Sequence, residues 1–266
     1  VAQNSNLHCS VIDTSKNDKE FKADVLVAED NPNNQKLIEI LLKKVGINPV
    51  IVSNGKDAVE EYKKREFDLI LMDVNMPILD GISAMKQIKI LEQRVNTKKT
   101  PIVALTANSI AGDKERYLQQ GMDGYLSKPI EFEKLLSILG EFLKKQSSKN
   151  EIKNNFDVIK NKQISKYNKQ DAMKQLSLDE STVDMLLDNL FLTLDNDLKN
   201  LQEAIDEKNS EKIVKFSHYI KGACSSLAMN EASLILENIE KKALKGEVNF
   251  DLADLKSIFK EIQNSL

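Results

Sequence analysis

Short apolar runs alternate with longer amphipathic segments over residues 23–143. The apolar runs start near five positions along the chain: Val25, Pro49, Leu69, Pro101 and Gly124. Continuous runs of this length are typical of strands that are covered on both faces of a parallel sheet. After each run, apolar residues recur at helical spacing, which predicts a helix. The alternation therefore predicts an α/β domain, with a doubly wound five-stranded parallel sheet and helices on both faces.

Turn-forming residues between these segments place the ends of the predicted elements. Proline and glycine interrupt regular structure, so Asn31-Pro32 and Gly46 bracket the first helix. The predicted strands span residues 25–28, 49–53, 69–72, 101–105 and 124–127. The predicted helices span residues 32–45, 55–64, 82–91, 109–120 and 132–143.

From residue 171 onward the periodicity is helical throughout, and the segment has no proline and little glycine. The helices predicted there span residues 171–176, 180–206, 210–228, 231–244 and 251–264. Amphipathic helices joined by short loops favour an antiparallel bundle. We therefore expect an all-α four-helix-bundle domain in this part of the chain.

Charge and composition divide the chain at the same place. All five prolines lie within residues 1–143, which carry a formal charge of −2. Residues 144–169 are rich in Lys and Asn and carry +6, whereas residues 170–266 carry −7. A polar, lysine-rich segment of this kind is typical of a linker. We therefore expect a tail over residues 1–22 and a first domain over residues 23–143, followed by the linker and the second domain.

The composition also excludes several classes of function. A net charge of −3 and a pI near 5.7 argue against general binding of nucleic acid. Cys9 and Cys224 lie far apart and form no CxxC motif, so neither a disulfide framework nor a zinc site is predicted. No apolar run approaches the roughly 20 residues that span a bilayer, so we expect a cytoplasmic segment without membrane contact. Because the chain begins at Val1, we expect it to be part of a longer protein, which can be membrane-anchored.

Polar side chains follow four of the predicted strands at their carboxyl ends. Glu29 and Asp30 follow the first strand, Asp73 the third, Thr106 the fourth and Lys128 the fifth. Parallel strands end at the same edge of a sheet, so these groups converge there. Three carboxylates repel one another unless a cation lies among them, and oxygen ligands suit Mg²⁺. The residues at this edge therefore predict phosphoryl chemistry. Considered alone, Asp73 also suits the role of a turn residue or a helix cap.

Four motifs in the first domain resemble those of response-regulator receiver domains. They are AED at Ala28–Asp30, MDVNMPILDG at Met72–Gly81, ALTAN at Ala104–Asn108 and GYLSKP at Gly124–Pro129. The resemblance implies a flavodoxin-like fold and a switch that Thr106 forms with Tyr125. It also implies a cis peptide bond between Lys128 and Pro129.

The same resemblance implies roles for the polar residues at the sheet edge. Asp73 is then the phosphoacceptor, and Lys128 contacts the phosphoryl group. Glu29 and Asp30 hold Mg²⁺ together with Asp73, assisted by the backbone carbonyl of Asn75. Phosphatases with an aspartate nucleophile are the enzymatic alternative, but they need a second Asp at the position that Asn75 occupies. The sequence also lacks a P-loop of the form GxxxxGK[ST].

His218 lies on the polar side of the third predicted bundle helix. A helical wheel places it nearly opposite the apolar stripe, with Gly222 on its own side and Lys215 and Lys221 about one turn away. Glycine in a helix interior costs up to about 1 kcal/mol, so Gly222 predicts the close approach of another backbone or loop. An exposed imidazole flanked by ammonium groups suits phosphoryl transfer, whereas an ordinary surface histidine is the simpler alternative.

This helix resembles the signature H-x-x-K-G-[AS] of histidine-containing phosphotransfer (HPt) domains. The matching residues are His218, Lys221, Gly222 and Ala223. The resemblance covers about residues 171–266 and implies that His218 accepts and donates a phosphoryl group. It departs from the common pattern at Ala228, where a glycine often ends the motif. The other histidine, His8, has no such surroundings and is taken as incidental.

Together the resemblances predict a two-component phosphorelay module from the C-terminal part of a hybrid sensor histidine kinase. A phosphoryl group would pass from an upstream kinase histidine to Asp73, then to His218, then to a downstream response-regulator receiver. Nothing in the sequence resembles an ATP-binding kinase domain, so we do not expect the chain to phosphorylate itself from ATP. Two alternatives stay open: a phosphorylation-dependent switch that leaves His218 unused, and a phosphate sink in which Asp73 accepts from His218 and hydrolyses.

Overall fold

Five strands form one parallel sheet in the computed structural model, which describes residues 21–95, 99–106, 113–143 and 167–265. In chain order the strands are β1 (Val25–Ala28), β2 (Val50–Val52), β3 (Leu69–Asp73), β4 (Ile102–Thr106) and β5 (Gly124–Ser127). Their order across the sheet is β2-β1-β3-β4-β5, so the winding reverses between β1 and β3. The predicted doubly wound fold is confirmed, and each strand lies within one residue of its predicted ends.

A helix follows each strand. The helices are α1 (Pro32–Lys43), α2 (Gly55–Lys64), α3 (Gly81–Val95), α4 (Asp113–Gln120) and α5 (Phe132–Leu143). Helix α1 begins where predicted because the Oδ1 atom of Asn31 accepts hydrogen bonds from the backbone N–H groups of Asn33 and Asn34. Helix α3 continues beyond its predicted end at Leu91, since neither proline nor glycine stops it there. The predicted start of the fourth helix, residues 109–112, falls outside the described residues.

Side chains alternate between the two faces of the sheet, and helices cover both faces. Val27 and Leu71 belong to a buried cluster that includes apolar residues of α1 and α5. Leu26 and Met72 belong to a second cluster, which includes residues of α2, α3 and α4. Burial on both faces explains why the strands read as continuous apolar runs. The peptide bond between Lys128 and Pro129 is cis, as the resemblance implied.

Within residues 167–265, five further helices form the C-terminal bundle. They are α6 (Lys169–Leu176), α7 (Glu180–Asp206), α8 (Ser210–Ser226), α9 (Asn230–Ala243) and α10 (Ala253–Gln263). Asp179 and Asn209 cap α7 and α8 by accepting hydrogen bonds from backbone N–H groups. Ala228 follows α8 with a φ of 57°. This left-handed conformation costs a non-glycine residue roughly 1 kcal/mol, which explains why glycine is common at this point of the motif.

The two domains are in contact through α1, which packs against α7 and α8. The buried apolar cluster beneath α1 and α5 is continuous with the core of the bundle. At the end of α1, the Lys44 ammonium donates a hydrogen bond to the carbonyl of Ser177. The docked arrangement places α8 near the carboxyl edge of the sheet, because the side chain of Asn31, which follows β1, contacts the backbone of Tyr219. None of the described helices combines the length and the apolar character needed to cross a bilayer.

Candidate functional site

Three carboxylates meet at the carboxyl edge of the sheet. Glu29 and Asp30 follow β1, and Asp73 ends the neighbouring strand β3. Each offers an oxygen atom within 4.8 Å of the others, with Glu29 and Asp73 buried and Asp30 partly exposed. The backbone N–H of Asn75 donates a hydrogen bond to Asp73 Oδ1 at 3.1 Å. The structure thus brings the three predicted acids together, while the metal role of the Asn75 carbonyl stays a prediction.

Lys128 lies between two of these carboxylates. Its Nζ atom is 2.6 Å from Glu29 Oε2 and 2.6 Å from Asp73 Oδ2. Burial opposes a charge on this lysine, but Asp73 and Glu29 raise the pKa of Lys128 above its ordinary value. Burial raises the pKa of Glu29 to about 7, with Asp73 adding to the rise and Lys128 opposing it. One buried ammonium group is therefore the counter-charge of two buried carboxylates. When all three acids are ionised, binding of a further cation is favoured.

Thr106 is the last residue of β4, and its hydroxyl group lies at the same edge. Its Oγ1 atom lies 3.1 Å from the hydroxyl oxygen of Tyr117 on α4, and both side chains are buried. Tyr125 lies on β5 opposite Ala104 and is partly buried. The structure therefore adds Tyr117 as a neighbour of Thr106. The switch role that the resemblance implied for Thr106 and Tyr125 stays a prediction.

The imidazole ring of His218, on α8, is held by a carboxylate from α9. Its Nδ1 atom is 2.9 Å from Glu240 Oε1, and Glu240 Oε2 accepts a hydrogen bond from Lys221. Burial raises the pKa of Glu240, but the hydrogen bonds from His218 and Lys221 outweigh it and lower that pKa overall. An ionised Glu240 can only accept, so Nδ1 carries a proton and the lone pair of the neutral ring lies on Nε2. This tautomer makes Nε2 the nucleophilic nitrogen.

The sequence predicts an exposed imidazole flanked by two ammonium groups, and the structure corrects the exposure. The side chain of His218 is 27% exposed, because Glu240 of α9 covers its Nδ1 side. Lys221 is 12% exposed and forms an ion pair with the same carboxylate. Lys215 is exposed, with its ammonium 6.0 Å from the ring centroid of Phe216. Of the two lysines, Lys215 alone therefore presents its charge to solvent.

Gly222 lies where α8 meets the first domain. A Cβ atom at this position would be 3.4 Å from Nδ2 of Asn34 on α1. One turn later, Ser226 Oγ is 2.9 Å from Asn34 Oδ1. The close neighbour that Gly222 predicted is thus a side-chain amide, which corrects the expectation of a backbone or loop. The polar side chain of Asn34 fits there because its amide nitrogen and its amide oxygen both have hydrogen-bond partners.

The interface connects the acidic edge to the helix that carries His218. The side-chain amide of Asn31 donates a hydrogen bond to the carbonyl of Tyr219 at 3.0 Å. Asn31 directly follows Asp30, and Tyr219 directly follows His218. Burial and the charge on Asp73 raise the pKa of Asp30, and Lys128 and His218 oppose that rise. The two predicted phosphoryl-carrying sites therefore border the same interface.

The donor set at the sheet edge fits a magnesium ion. The oxygen atoms of Glu29, Asp30 and Asp73 are close enough to share one cation. Mg²⁺ prefers carboxylate oxygens and keeps several water ligands, and the partial exposure of Asp30 gives water access. These three residues are therefore the candidates to hold the metal ion.

Sequence reasoning missed three residues that shape these sites: Asn34, Tyr117 and Glu240. Asn34 Nδ2 donates a hydrogen bond to Glu29 Oε1, and the other two contact Thr106 and His218. The run of asparagines around Pro32 was a usable signal for Asn34, because asparagine is an unfavourable helix residue. Tyr117 and Glu240 carry no such signal, since each reads as an ordinary position of an amphipathic helix.

Comparison with known families finds two domains in the predicted order. The model of the response regulator receiver domain matches residues 25–140, and the model of the Hpt domain matches residues 185–265. These domains define a protein of two-component signal transduction. The chain thus carries a receiver domain followed by an Hpt domain, and it is a phosphorelay module.

Several relatives carry names from the same signalling class. The chain is 32% identical over 250 residues to the signal transduction histidine-protein kinase BarA of Escherichia coli K12, covering 90% of this chain and 26% of BarA. It is 44% identical over 115 residues to the sensor protein GacS of Pseudomonas syringae, covering 43% of this chain and 13% of GacS. The chain thus spans about a quarter or less of these curated relatives.

A solved structure of similar sequence is the receiver domain of the sensor histidine kinase PA1611 from Pseudomonas aeruginosa, described with a magnesium ion coordinated in its active-site cleft. The two chains are 40% identical, with a TM-score of 0.41. The match covers 46% of this chain and 97% of that receiver domain.

Proposed function

We propose that this module passes a phosphoryl group from Asp73 to His218 within one chain. A histidine of an upstream sensor kinase, on the same longer polypeptide or on another, supplies the group to Asp73. His218 then donates it to the receiver aspartate of a downstream response regulator. The observation that carries the proposal is the docking of α8 on α1, in which Asn31 beside Asp30 contacts Tyr219 beside His218.

The transfer step uses groups that the two sites hold. The Nε2 lone pair of His218 attacks phosphorus, and an N–P bond forms while the bond from phosphorus to Asp73 Oδ breaks. Asp73 leaves as a carboxylate, whose charge Lys128 balances from 2.6 Å. The positive charge that develops on the imidazole is balanced by Glu240, which accepts a hydrogen bond from Nδ1–H.

We infer that Glu29, Asp30 and Asp73 hold the Mg²⁺ on which this chemistry depends. When bound, the ion supplies positive charge to the phosphoryl oxygens. The role of the protein is to keep three carboxylates together, with Lys128 compensating Glu29 and Asp73. We infer that Thr106, at the end of the neighbouring strand β4, donates a hydrogen bond to a phosphoryl oxygen on Asp73.

Replacing His218 with glutamine tests the relay. Loading with ³²P-labelled acetyl phosphate and Mg²⁺ is expected to label Asp73 in both chains, whereas alkali-stable phosphohistidine forms in the native chain alone. His8→Gln is the matched control and is expected to behave like the native chain. A native chain that never acquires alkali-stable label contradicts the relay and favours the switch alternative.

Replacing Glu240 with glutamine is expected to slow the transfer from Asp73 to His218 by about tenfold, because an uncharged amide balances the developing imidazolium less well. The measurement is the rate at which phosphohistidine appears after Asp73 is loaded. Glu237→Gln is the control, since Glu237 lies on the same helix and pairs with Lys241 at the surface. Equal rates of phosphohistidine formation in the Glu240 and Glu237 variants would show that Glu240 does not assist the transfer.

A further inference from the structure

Asn34 connects the docked bundle to the acidic site through the two ends of one side chain. Its Nδ2 atom donates a hydrogen bond to Glu29 Oε1 at 2.9 Å, and its Oδ1 atom accepts one from Ser226 Oγ at 2.9 Å. The side chain is 3% exposed in the docked chain. Glu29 continues the connection, because its other oxygen lies 2.6 Å from Lys128. A chain of polar contacts thus runs from α8 to the carboxylates at the sheet edge.

The orientation of the Asn34 amide is set by both partners. An ionised Glu29 can only accept hydrogen bonds, so the amide nitrogen must face it. The amide oxygen then faces Ser226, which has a proton to donate. Because the amide group is planar, holding its oxygen also fixes its nitrogen, and the two hydrogen bonds strengthen each other.

Ser226 also has an acceptor on its own helix. Its Oγ atom is 3.0 Å from the carbonyl of Gly222, one turn earlier on the same helix. If the bundle separated, that carbonyl would stay within reach of the single Ser226 proton, whereas Asn34 Oδ1 would lose its donor and the amide would no longer be fixed at both ends. The contact between Asn34 and Ser226 therefore distinguishes the docked chain from the separated one.

We propose that Asn34 is a positioning residue that transmits docking of the bundle to Glu29 and so prepares the metal site for transfer. This inference rests on the proposed function, in which the carboxylates hold Mg²⁺ and the docked chain transfers the phosphoryl group. In the docked state Asn34 holds Oε1 of Glu29, which fixes the direction of Oε2 toward Lys128 and keeps the carboxylate beside the other two acids that would hold the cation. The site is then tighter for metal when His218 is in place to react.

The same interface supplies a matched control. Asn189 Nδ2 on α7 donates a hydrogen bond to Asn33 Oδ1 at 2.7 Å. This contact stabilises docking as the Ser226 contact does, but Asn33 has no hydrogen bond to Glu29 among those of the described residues. Asn189→Ala therefore removes one interface hydrogen bond without breaking the connection through Asn34.

The test is a double-mutant cycle on the full chain, read out as Mn²⁺ affinity by electron paramagnetic resonance. Ser226→Ala is expected to weaken Mn²⁺ binding about threefold and Asn34→Ala about tenfold. In the Asn34→Ala background, Ser226→Ala is expected to have no further effect. Asn189→Ala is expected to leave the affinity within about 1.5-fold of the native value, because it spares the connecting residues.

Two results would overturn the inference. One is a Ser226→Ala effect no larger than that of Asn189→Ala, a comparison that does not depend on the Asn34 variant being folded. The other is a Ser226→Ala effect that persists in full without Asn34. Failure of the proposed relay can be distinguished from failure of this inference. If the relay fails, the native chain carries no label on His218, whatever the Mn²⁺ affinities are.

Discussion

Asp73→Asn is expected to lower the label on His218 by at least about 100-fold when the chain is loaded from acetyl phosphate and Mg²⁺. The physical reason is that an amide oxygen is a far weaker nucleophile than a carboxylate, so the first acceptor is lost and His218 has no donor within the chain. The measurement is alkali-stable ³²P per chain after a fixed time. The effect is large because the relay has a single entry point.

Asp68→Asn is the control for this experiment. Asp68 directly precedes β3, at the end of the strand opposite Asp73, where its carboxylate accepts a hydrogen bond from the backbone N–H of Asp24. It is expected to leave the label on His218 unchanged. Undiminished His218 label in the Asp73→Asn chain would mean that His218 is loaded directly, and the order Asp73 then His218 would be wrong.

Lys128→Met is expected to lower the free energy of unfolding of the receiver domain by about 3–5 kcal/mol in metal-free buffer. Lys128 is 6% exposed and forms ion pairs at 2.6 Å with both Glu29 and Asp73, so its removal leaves two buried acids without a counter-charge. The same change is expected to slow phosphorylation of Asp73 by about 100-fold or more, because the developing charge loses its cation. Urea titration followed by circular dichroism gives the stability.

Lys134→Met provides the comparison for that result. Lys134 lies on α5 and pairs with Glu131 at 2.9 Å, with both side chains exposed, so it is expected to contribute less than about 1 kcal/mol. A Lys128→Met chain that loses no more stability than the Lys134→Met chain would show that Lys128 does not neutralise the acidic cluster. Added Mg²⁺ is expected to restore part of the stability of the Lys128 variant, because the cation replaces the missing charge.

The elements that sequence predicted well are those with local signals. Strand β1 and helix α2 have the ends that were predicted, because a continuous apolar run and a glycine at Gly55 mark them locally. The acidic cluster was predicted from strand direction alone, because parallel strands place Glu29 and Asp73 at the same edge of the sheet. Local chemistry plus topology was sufficient for this part of the site.

The parts that sequence did not predict depend on contacts between distant segments. Asn34 and Ser226 are 192 residues apart, and their hydrogen bond exists only because the bundle docks on α1. Glu240 reaches His218 from a different helix, and one acid among several on α9 carries no sign of that contact. The predicted exposure of His218 was wrong for the same reason, because a helical wheel describes one helix and omits its neighbours.

The most direct test of the relay is a time course of the native chain, loaded on Asp73 and followed by the separate amounts of alkali-labile and alkali-stable label. We expect acyl phosphate on Asp73 to fall as phosphohistidine on His218 rises, with a first-order rate constant that is unchanged over a 100-fold range of chain concentration. Independence from concentration is expected because the two sites border one interface within the chain. Label that leaves Asp73 only as inorganic phosphate, or transfer whose rate rises in proportion to chain concentration, would contradict transfer within one chain.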